Sequence, residues 1–264
     1  MTQKDLKELV REKYGELARA SDNQQSGSCC CGPSCCSSSG YTTFSENYSQ
    51  LEGFNPDADL SLGCGIPTEF AGLKAGDHVL DLGSGAGNDC FVARATVGDT
   101  GHVTGIDFTE DMLLKAEGNR KKLGYTNIEF VRGDIEAMPL PDNSFDVVLS
   151  NCVLNLVPDK NKAFSEIMRV LKPGGHFCVS DIVFRGELTD EMRADAELYA
   201  GCVAGASAID DYLGFIMKNG FVDIRIHKEK RIEMPQLAIT FPDGKEESGI
   251  YSITLSASKP FIAS

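Results

Sequence analysis

The residues with the clearest chemical potential form a glycine-rich turn. The apolar run His78-Val79-Leu80-Asp81-Leu82 leads into Gly83, Gly85 and Gly87, and a helical pattern begins at Asn88. Glycines allow a tight turn and the close approach of a ligand to the backbone, because they carry no Cβ. A strand that passes through such a turn into a helix predicts a nucleotide site at the helix N-terminus. The alternative is an ordinary glycine-rich loop.

The spacing of the glycines narrows the choice of nucleotide. A dinucleotide fingerprint GxGxxG that starts at Gly83 requires glycine at position 88, where this chain has Asn88. A Walker loop requires Gly-Lys followed by Ser or Thr, which the turn lacks. Asp107 closes the next apolar run, where a carboxylate can accept hydrogen bonds from two ribose hydroxyls. These features argue against a dehydrogenase or Walker-type site. They remain consistent with a ligand that contains a nucleoside.

Cysteine is the second source of chemistry, with 10 residues in the chain. No apolar signal-peptide segment is found near Met1, so we expect thiol, metal or redox chemistry rather than structural disulfides. One group is crowded in the sequence: Cys29, Cys30, Cys31, Cys35 and Cys36. This group is either a loosely structured thiol patch or a site for a soft, thiophilic ion. Zinc fits it less well, because adjacent cysteines suit a tetrahedral site less than paired CxxC spacing does.

Three of the dispersed cysteines occupy unusual settings. Cys64 lies between two glycines, Cys152 follows an apolar run, and Cys202 lies among alanines and glycines. Ligands of doubly wound sheets bind at the carboxyl ends of strands, where Cys152 is expected. Thiols that converge there on a bound ligand fit a soft trivalent centre such as As(III), held by three thiolates. Cys90 and Cys178 fall within a helical and a strand pattern, and we expect them to be buried packing residues.

The elements that must position these residues alternate between strand and helix. The apolar runs lie at residues 79–82, 103–106, 128–131, 145–149 and 177–179. Helical patterns lie between them at about 88–98, 109–123 and 160–171. Short apolar strands that alternate with helices predict βαβ units and a parallel sheet covered on both faces. The sequence therefore predicts a doubly wound, Rossmann-like α/β sheet.

The patterns divide the chain into three parts. Residues 1–40 combine an amphipathic helix, at about 4–20, with a flexible cysteine-rich segment. Residues 41–220 form the nucleotide-binding domain, and residues 221–264 form a small C-terminal α+β part. The late patterns are helices at about 189–201 and 209–219 and strands at 221–226 and 250–256. The two strands either finish the main sheet or form a small subdomain.

Charge and composition restrict the partners. The formal net charge of −14 repels phosphate backbones and anionic lipids, so we expect neither a nucleic-acid nor a membrane partner. No apolar run reaches the length of a membrane span. The 4 histidines show no Ser-His-Asp arrangement and are expected to be structural. We therefore expect a cytoplasmic monomer that acts on a small molecule.

The central motifs resemble those of the class I S-adenosylmethionine-dependent methyltransferases. The resemblance covers about residues 68–182 and rests on the glycine turn, Asp107, and the stretches 133–139, 145–148 and 170–175. It implies a Rossmann-like methyltransferase sheet that binds S-adenosylmethionine. The residues that it implies for cofactor binding are Asp81, Gly83, Ser84, Gly85, Gly87, Asp107, Phe108, Met112, Asp134, Ile135, Glu136 and Asn151.

The cysteine settings closely resemble those of the arsenite methyltransferases. The order and surroundings of Cys64, Cys152 and Cys202 match that family, and Cys35 or Cys36 falls where many members carry a fourth cysteine. The resemblance implies methylation of arsenite, or of an arsenic-thiol conjugate, for detoxification. It makes Cys152 and Cys202 permanent arsenic ligands, and Cys64 a third ligand or the redox partner of Cys36. Thioredoxin or glutathione would restore the dithiol.

Two other functions stay open on the residues alone. One is a small-molecule methyltransferase of quinone or sterol type with incidental cysteines. The other is a non-catalytic module that buffers soft metals through residues 29–36.

Overall fold

The structure is a computed structural model that describes residues 3–24, 46–186, 205–232 and 248–261. Cysteines 29–36, the helical pattern at 189–201 and Cys202 lie outside the described residues. The strands are β1 His78–Leu82, β2 His102–Asp107, β3 Ile128–Arg132, β4 Phe145–Asn151, β5 Leu171–Arg185, β6 Ser207–Ala208, β7 Val222–Ile232 and β8 Gly249–Ser258. The helices are α1 Gln3–Gln24, α2 Asn88–Val97, α3 Glu110–Leu123, α4 Lys160–Val170 and α5 Ile209–Lys218.

One sheet joins these strands in the order β3-β2-β1-β4-β5-β8-β7, with β6 paired to β5. The pairs β1–β2, β2–β3, β1–β4 and β4–β5 are parallel, as apolar strands separated by helices predict. In the sheet, β2 lies on one side of β1 and β4 lies on its other side. A crevice therefore opens at the carboxyl ends of β1 and β4, where ligands of doubly wound sheets bind. The predicted Rossmann-like sheet is confirmed.

The C-terminal strands complete this same sheet. β8 pairs antiparallel with β5 from His176 to Arg185, and β7 pairs antiparallel with β8. Of the two arrangements that the sequence left open for residues 221–264, strand pairing shows the one that finishes the main sheet. The reason is the length of β5, whose buried backbone groups on the side away from β4 need hydrogen-bond partners.

Side chains of alternate residues pack on opposite faces of the sheet. Leu80 and Leu82 join the core formed with α4 and α5, whereas Val79 joins the core formed with α2. The first core contains an aromatic group in which the ring of Phe164 lies 5.7 Å from Phe177 and 5.5 Å from Tyr212. Cys90 and Cys178, placed in the α2 core, are fully buried, as expected from their patterns.

Helix α1 lies across the carboxyl edge of the sheet. Leu6, Val10 and Tyr14 pack against a cluster that includes Phe108 and Leu156. Towards its N-terminal end the Lys7 ammonium pairs with the carboxylates of Asp134 and Glu136, and near its other end Arg19 pairs with Asp111. The amphipathic pattern at 4–20 is thus explained by packing against the main sheet domain. In the described part of the chain, no helix combines the length and the apolar character needed to cross a bilayer.

We expect Phe164→Ala to lower the free energy of unfolding by about 3–5 kcal/mol, because the fully buried ring leaves a cavity between β5 and α5. Urea denaturation measures the change. The matched control is Leu114→Ala, whose side chain is 66% exposed and whose removal should change the stability by less than about 0.5 kcal/mol. Similar small values for both variants would contradict this assignment of the core.

Candidate active site

The glycine turn after β1 adopts backbone conformations that side chains rarely tolerate. Gly83, Gly85 and Gly87 have φ values of +64°, +52° and +95°. A Cβ at Gly83 would lie 2.6 Å from the side chain of Val153, so this glycine permits close packing as well. At Gly85 the nearest atom to an added Cβ is the Met112 sulfur, 3.9 Å away, which leaves space above the turn. The turn therefore forms one wall of a cleft.

This cleft contains most of the predicted cofactor residues. Those that line it are Asp81, Gly83, Ser84, Gly85, Asp107, Phe108, Met112, Ile135 and Asn151. Three others do not line it. Gly87 precedes α2 and packs against the rings of Phe91 and Phe130, while Asp134 and Glu136 bind Lys7 of α1. Their predicted contact with the cofactor stays a prediction.

Asp107 is held in place by the glycine turn. Its Oδ2 accepts a hydrogen bond from the Gly85 N–H at 3.0 Å, and its Oδ1 accepts one from the Thr109 N–H at 2.8 Å. The Phe108 N–H and the Thr109 hydroxyl are further donors to this carboxyl, so its orientation is fixed by four protein groups. Burial raises the pKa of Asp107 above its usual value.

Three buried carboxyl groups make the cleft suitable for a cation. Asp81, Asp89 and Asp107 line it and are each less than a tenth exposed. Burial raises the pKa of Asp81 well above its usual range and that of Asp89 to about 6. A positively charged ligand would stabilise their ionised forms and so lower both pKa values.

Polar atoms in the cleft also lack protein partners. Within the described residues, the Ser84 Oγ and the Asn88 Oδ1 are buried and make no hydrogen bond. Such atoms are costly to bury unless a ligand or water satisfies them. Together with the carboxyl groups and the open space above Gly85, they fit a cationic ligand that also carries polar groups. S-adenosylmethionine has both properties, through its sulfonium and its amino-acid and ribose portions.

Two of the predicted arsenic-binding cysteines meet at the edge of this cleft. The sulfurs of Cys64 and Cys152 and a carboxylate oxygen of Asp181 all lie within 4.8 Å of one another, and all three residues are buried. Cys152 lines the cleft beside the glycine turn. The Cys64 and Cys152 side chains are thiols and not disulfides. Burial raises the pKa of the Asp181 carboxyl to about 7.

Cys152 has an unusual backbone. Its φ is +60°, although it is neither glycine nor asparagine. It directly follows β4, and its N–H donates to the Ser180 carbonyl oxygen of β5 at 2.7 Å. A strained residue costs about 1–3 kcal/mol and persists only where surrounding contacts enforce it. Such positions cluster at functional sites, and here the conformation lies at the thiol that borders the cleft.

Asn151 holds the Cys64 turn beside Cys152. Its Oδ1 accepts a hydrogen bond from the Cys64 N–H at 3.0 Å, and its Nδ2 donates to the Gly65 carbonyl oxygen at 2.9 Å. A Cβ at Gly63 would lie 2.6 Å from Asn151 Nδ2, and one at Gly65 would lie 2.5 Å from the Ser180 hydroxyl oxygen. The flanking glycines are therefore required for the cysteine to pack this closely.

The same amide connects the cysteines to the cleft. Asn151 Nδ2 donates to the Tyr48 hydroxyl at 2.7 Å and approaches Asp89 Oδ2 at 3.1 Å, while Tyr48 donates to Asp89 Oδ1 at 2.9 Å. Burial raises the pKa of Tyr48 well above its usual value, so the phenol stays protonated and remains a donor. Tyr48 and Asp89 both line the cleft.

Sequence reasoning missed several residues of this site. Asp181 is the one charged residue in the buried stretch 177–184 of β5, a signal that was available in the sequence. Tyr48, Val10 and Tyr14 line the cleft through long-range packing that no local motif indicates. Cys36 and Cys202 lie outside the described residues, so their predicted roles stay predictions.

Comparison with known proteins agrees with this geometry. The family described as "Methyltransferase domain" matches residues 73–235. The curated arsenite methyltransferase of Halobacterium salinarum is 39% identical over 266 residues, which cover 97% of this chain and 67% of that protein. The crystal structure of an arsenic(III) S-adenosylmethionine methyltransferase from Chlamydomonas reinhardtii is 40% identical, with a TM-score of 0.65, over 75% of this chain and 68% of that one.

Similarity to other methyltransferases is weaker or covers less of the chain. A ubiquinone/menaquinone biosynthesis C-methyltransferase from Bdellovibrio bacteriovorus is 32% identical over 65% of this chain and 77% of its own length. The chain spans only 42% to 58% of the length of four further curated arsenite methyltransferases that it matches. A match that covers nearly the whole chain is to an arsenite methyltransferase. The chain therefore belongs to the arsenite methyltransferase family, within the S-adenosylmethionine-dependent methyltransferases.

Proposed function

We propose that this chain transfers a methyl group from S-adenosylmethionine to trivalent arsenic held by cysteine thiolates, and so serves in arsenic detoxification. The observation that carries the proposal is the approach of the Cys64 and Cys152 sulfurs to within 4.8 Å of each other at the edge of the cleft. Arsenite, or its conjugate with a small thiol, is the acceptor.

The donor half of the proposal rests on the cleft. When bound, S-adenosylmethionine supplies a methyl group attached to its sulfonium. In-line attack on the methyl carbon releases the rest of the molecule as a neutral thioether. The buried Asp81, Asp89 and Asp107 favour that positive charge. Asp107 stays oriented by the Gly85 and Thr109 N–H groups, and we assign it to the ribose hydroxyls. The reaction needs no general base, so orienting the reactants supplies most of the catalysis, worth up to roughly 7–11 kcal/mol.

The acceptor half rests on the thiols. As(III) binds thiolates and keeps a lone pair, which is the nucleophile. Cys64 and Cys152 supply two ligands, and we assign the third to Cys202. Ala206 packs in the same apolar cluster as Cys64 and Cys152, and four residues of chain can span up to about 14 Å. Cys202 is therefore close enough in sequence to reach the other two sulfurs.

Methylation oxidises the arsenic from As(III) to As(V), so two electrons must return before the next transfer. We assign them to a dithiol formed by Cys64 and one of cysteines 29–36, with Cys36 as the proposed partner. The dithiol becomes a disulfide, and thioredoxin or glutathione reduces it by thiol-disulfide exchange. A reducing compartment such as the cytoplasm suits this cycle. We expect the chain to act as a monomer.

We expect Cys152→Ser to reduce arsenite methylation by at least about a hundredfold, because arsenic loses a ligand beside the cleft. Cys64→Ser should act in the same direction. The assay incubates the chain with arsenite, S-adenosylmethionine and a thiol, and arsenic speciation quantifies the products. Cys178→Ser, a buried thiol of β5 on the α2 side, is the matched control and should retain activity.

Two results would contradict the proposal. A wild-type chain that yields no methylated arsenic above a control without enzyme would exclude arsenic as its acceptor. Full activity of both Cys64→Ser and Cys152→Ser would show that the cysteines are incidental, as expected for a methyltransferase of quinone or sterol type.

We expect Lys7→Ala to weaken S-adenosylmethionine binding about fivefold, because Lys7 anchors α1 over the cleft through Asp134 and Glu136. Calorimetric titration measures the affinity. Arg11→Ala is the matched control, since the ion pair of Arg11 with Glu8 stays within α1. Equal affinities for Lys7→Ala and the wild type would mean that the anchoring of α1 does not affect the cleft.

We expect a variant with serine at Cys29, Cys30, Cys31, Cys35 and Cys36 to complete one methylation and then stop, because its Cys64 has no dithiol partner. Product counted per enzyme in the presence of thioredoxin tests this expectation. In the wild type without reductant, peptide mass mapping should find Cys64 disulfide-bonded to one of those cysteines. Repeated turnover by the variant would exclude the assigned redox role, and loss of all arsenic binding would favour the soft-metal module.

A further inference from the structure

A buried carboxyl group lies beside the two thiols of the proposed arsenic site. Asp181 lies in β5, beside Ser180, which pairs with Asn151 of β4. One of its oxygens is within 4.8 Å of both the Cys64 and the Cys152 sulfur, and the residue is only 1% exposed. Asp181 has no role in the proposed binding of S-adenosylmethionine or in the proposed redox cycle. A carboxylate is costly to bury unless its oxygens accept hydrogen bonds, so a carboxylate beside two thiols favours a ligand that carries a hydrogen-bond donor.

The fixed contacts of Asp181 leave it able to accept one more hydrogen bond. The Tyr212 hydroxyl donates to its Oδ2 at 2.9 Å, and the Ile182 N–H donates to its Oδ1 at 3.1 Å. The Asn155 backbone N–H is a further donor. A carboxylate has about four acceptor positions, so these three donors fix its orientation without filling it. The carboxylate can therefore accept a hydrogen bond from a ligand bound between the two thiols.

Arsenous acid provides such a donor as it binds. Each thiol forms a sulfur–arsenic bond, an arsenic–oxygen bond breaks, and the thiol proton leaves with the hydroxyl as water. After Cys64 and Cys152 have reacted, arsenic keeps one hydroxyl group and no change of oxidation state has occurred. We propose that Asp181 accepts a hydrogen bond from this hydroxyl and so selects arsenic that still carries oxygen. The inference rests on the proposed function.

This contact gives the site a means of discrimination. In methylarsenite a methyl carbon replaces one hydroxyl, so binding by the same two thiols leaves no hydroxyl to face Asp181. A site built to hydrogen-bond a hydroxyl disfavours the analogue without it, because the buried polar group is then left without that partner. The carboxylate acts before a third thiolate displaces the last oxygen. It would therefore favour arsenite over methylated arsenic at the entry step.

The test uses the full chain with serine at Cys202 and at all cysteines from 29 to 36, which leaves the Cys64–Cys152 pair as the thiol site. Equilibrium dialysis with arsenite and, separately, with methylarsenite gives both affinities. We expect Asp181→Leu to weaken arsenite binding at least about tenfold and methylarsenite binding less than about threefold. Asp181→Asn keeps an oxygen acceptor of similar size and should fall between Asp181→Leu and the parent for arsenite.

Tyr212→Phe is the matched control, because it removes a neighbour of Asp181 but keeps the carboxylate. It should change both affinities by less than about threefold. An equal loss of arsenite and methylarsenite binding in Asp181→Leu, or no loss of either, would overturn the role of Asp181 and leave the proposed function standing. If the wild-type chain, with all its cysteines, binds neither compound, the proposed function fails and this inference fails with it, whereas loss of binding in the Cys64–Cys152 parent alone overturns only this inference.

Discussion

The site depends on how closely the Gly63-Cys64-Gly65 turn packs against the ends of β4 and β5. The Ser252 hydroxyl of β8 donates to the Cys64 carbonyl oxygen at 2.5 Å, and Asn151 binds both faces of the turn. Neither flanking position has room for a Cβ. A thiol that is held by its backbone on both sides has little conformational freedom left to lose when it binds a ligand. The Cys64 thiol is therefore held in place by the protein before any ligand binds.

The opposite partner in this packing is Cys152, with its φ of +60°. An ordinary continuation of β4 would direct successive side chains to alternate faces of the sheet, as extended strands do. The left-handed residue breaks that alternation directly after Asn151. Asn151 can then bind the Cys64 turn while Cys152 borders the cleft. The strained conformation of Cys152 thus sets the directions of both the Asn151 and the Cys152 side chains. The hydrogen bond from the Cys152 N–H to the Ser180 carbonyl oxygen helps to stabilise this conformation.

Local patterns in the sequence were sufficient for the sheet and for the turn. Apolar runs and helical periodicity predicted β1 to β5 and α2 to α4, because these signals depend on neighbours a few residues apart. The carboxyl ends of parallel strands meet at one edge, so the place of Cys152 was predictable as well. The helix α1 was predictable from its amphipathic pattern, but its place over the cleft, like the roles of Tyr48 and Asp181, was not, because these depend on contacts between distant segments. The bond between Ser252 and Cys64, for example, joins residues 188 positions apart.

One hydrogen-bond network connects the proposed S-adenosylmethionine cleft to the Cys64–Cys152 pair. Asn151 touches the Cys64 backbone at one end of its amide and the Tyr48–Asp89 pair at the other. A cation in the cleft favours the ionised form of Asp89, and an ionised carboxylate accepts stronger hydrogen bonds from Tyr48 and Asn151. Those bonds hold the amide in the orientation that fixes the Cys64 turn. We therefore expect a cation in the cleft to hold the cysteine pair more firmly and, by thermodynamic reciprocity, a ligand on the cysteines to strengthen binding of that cation.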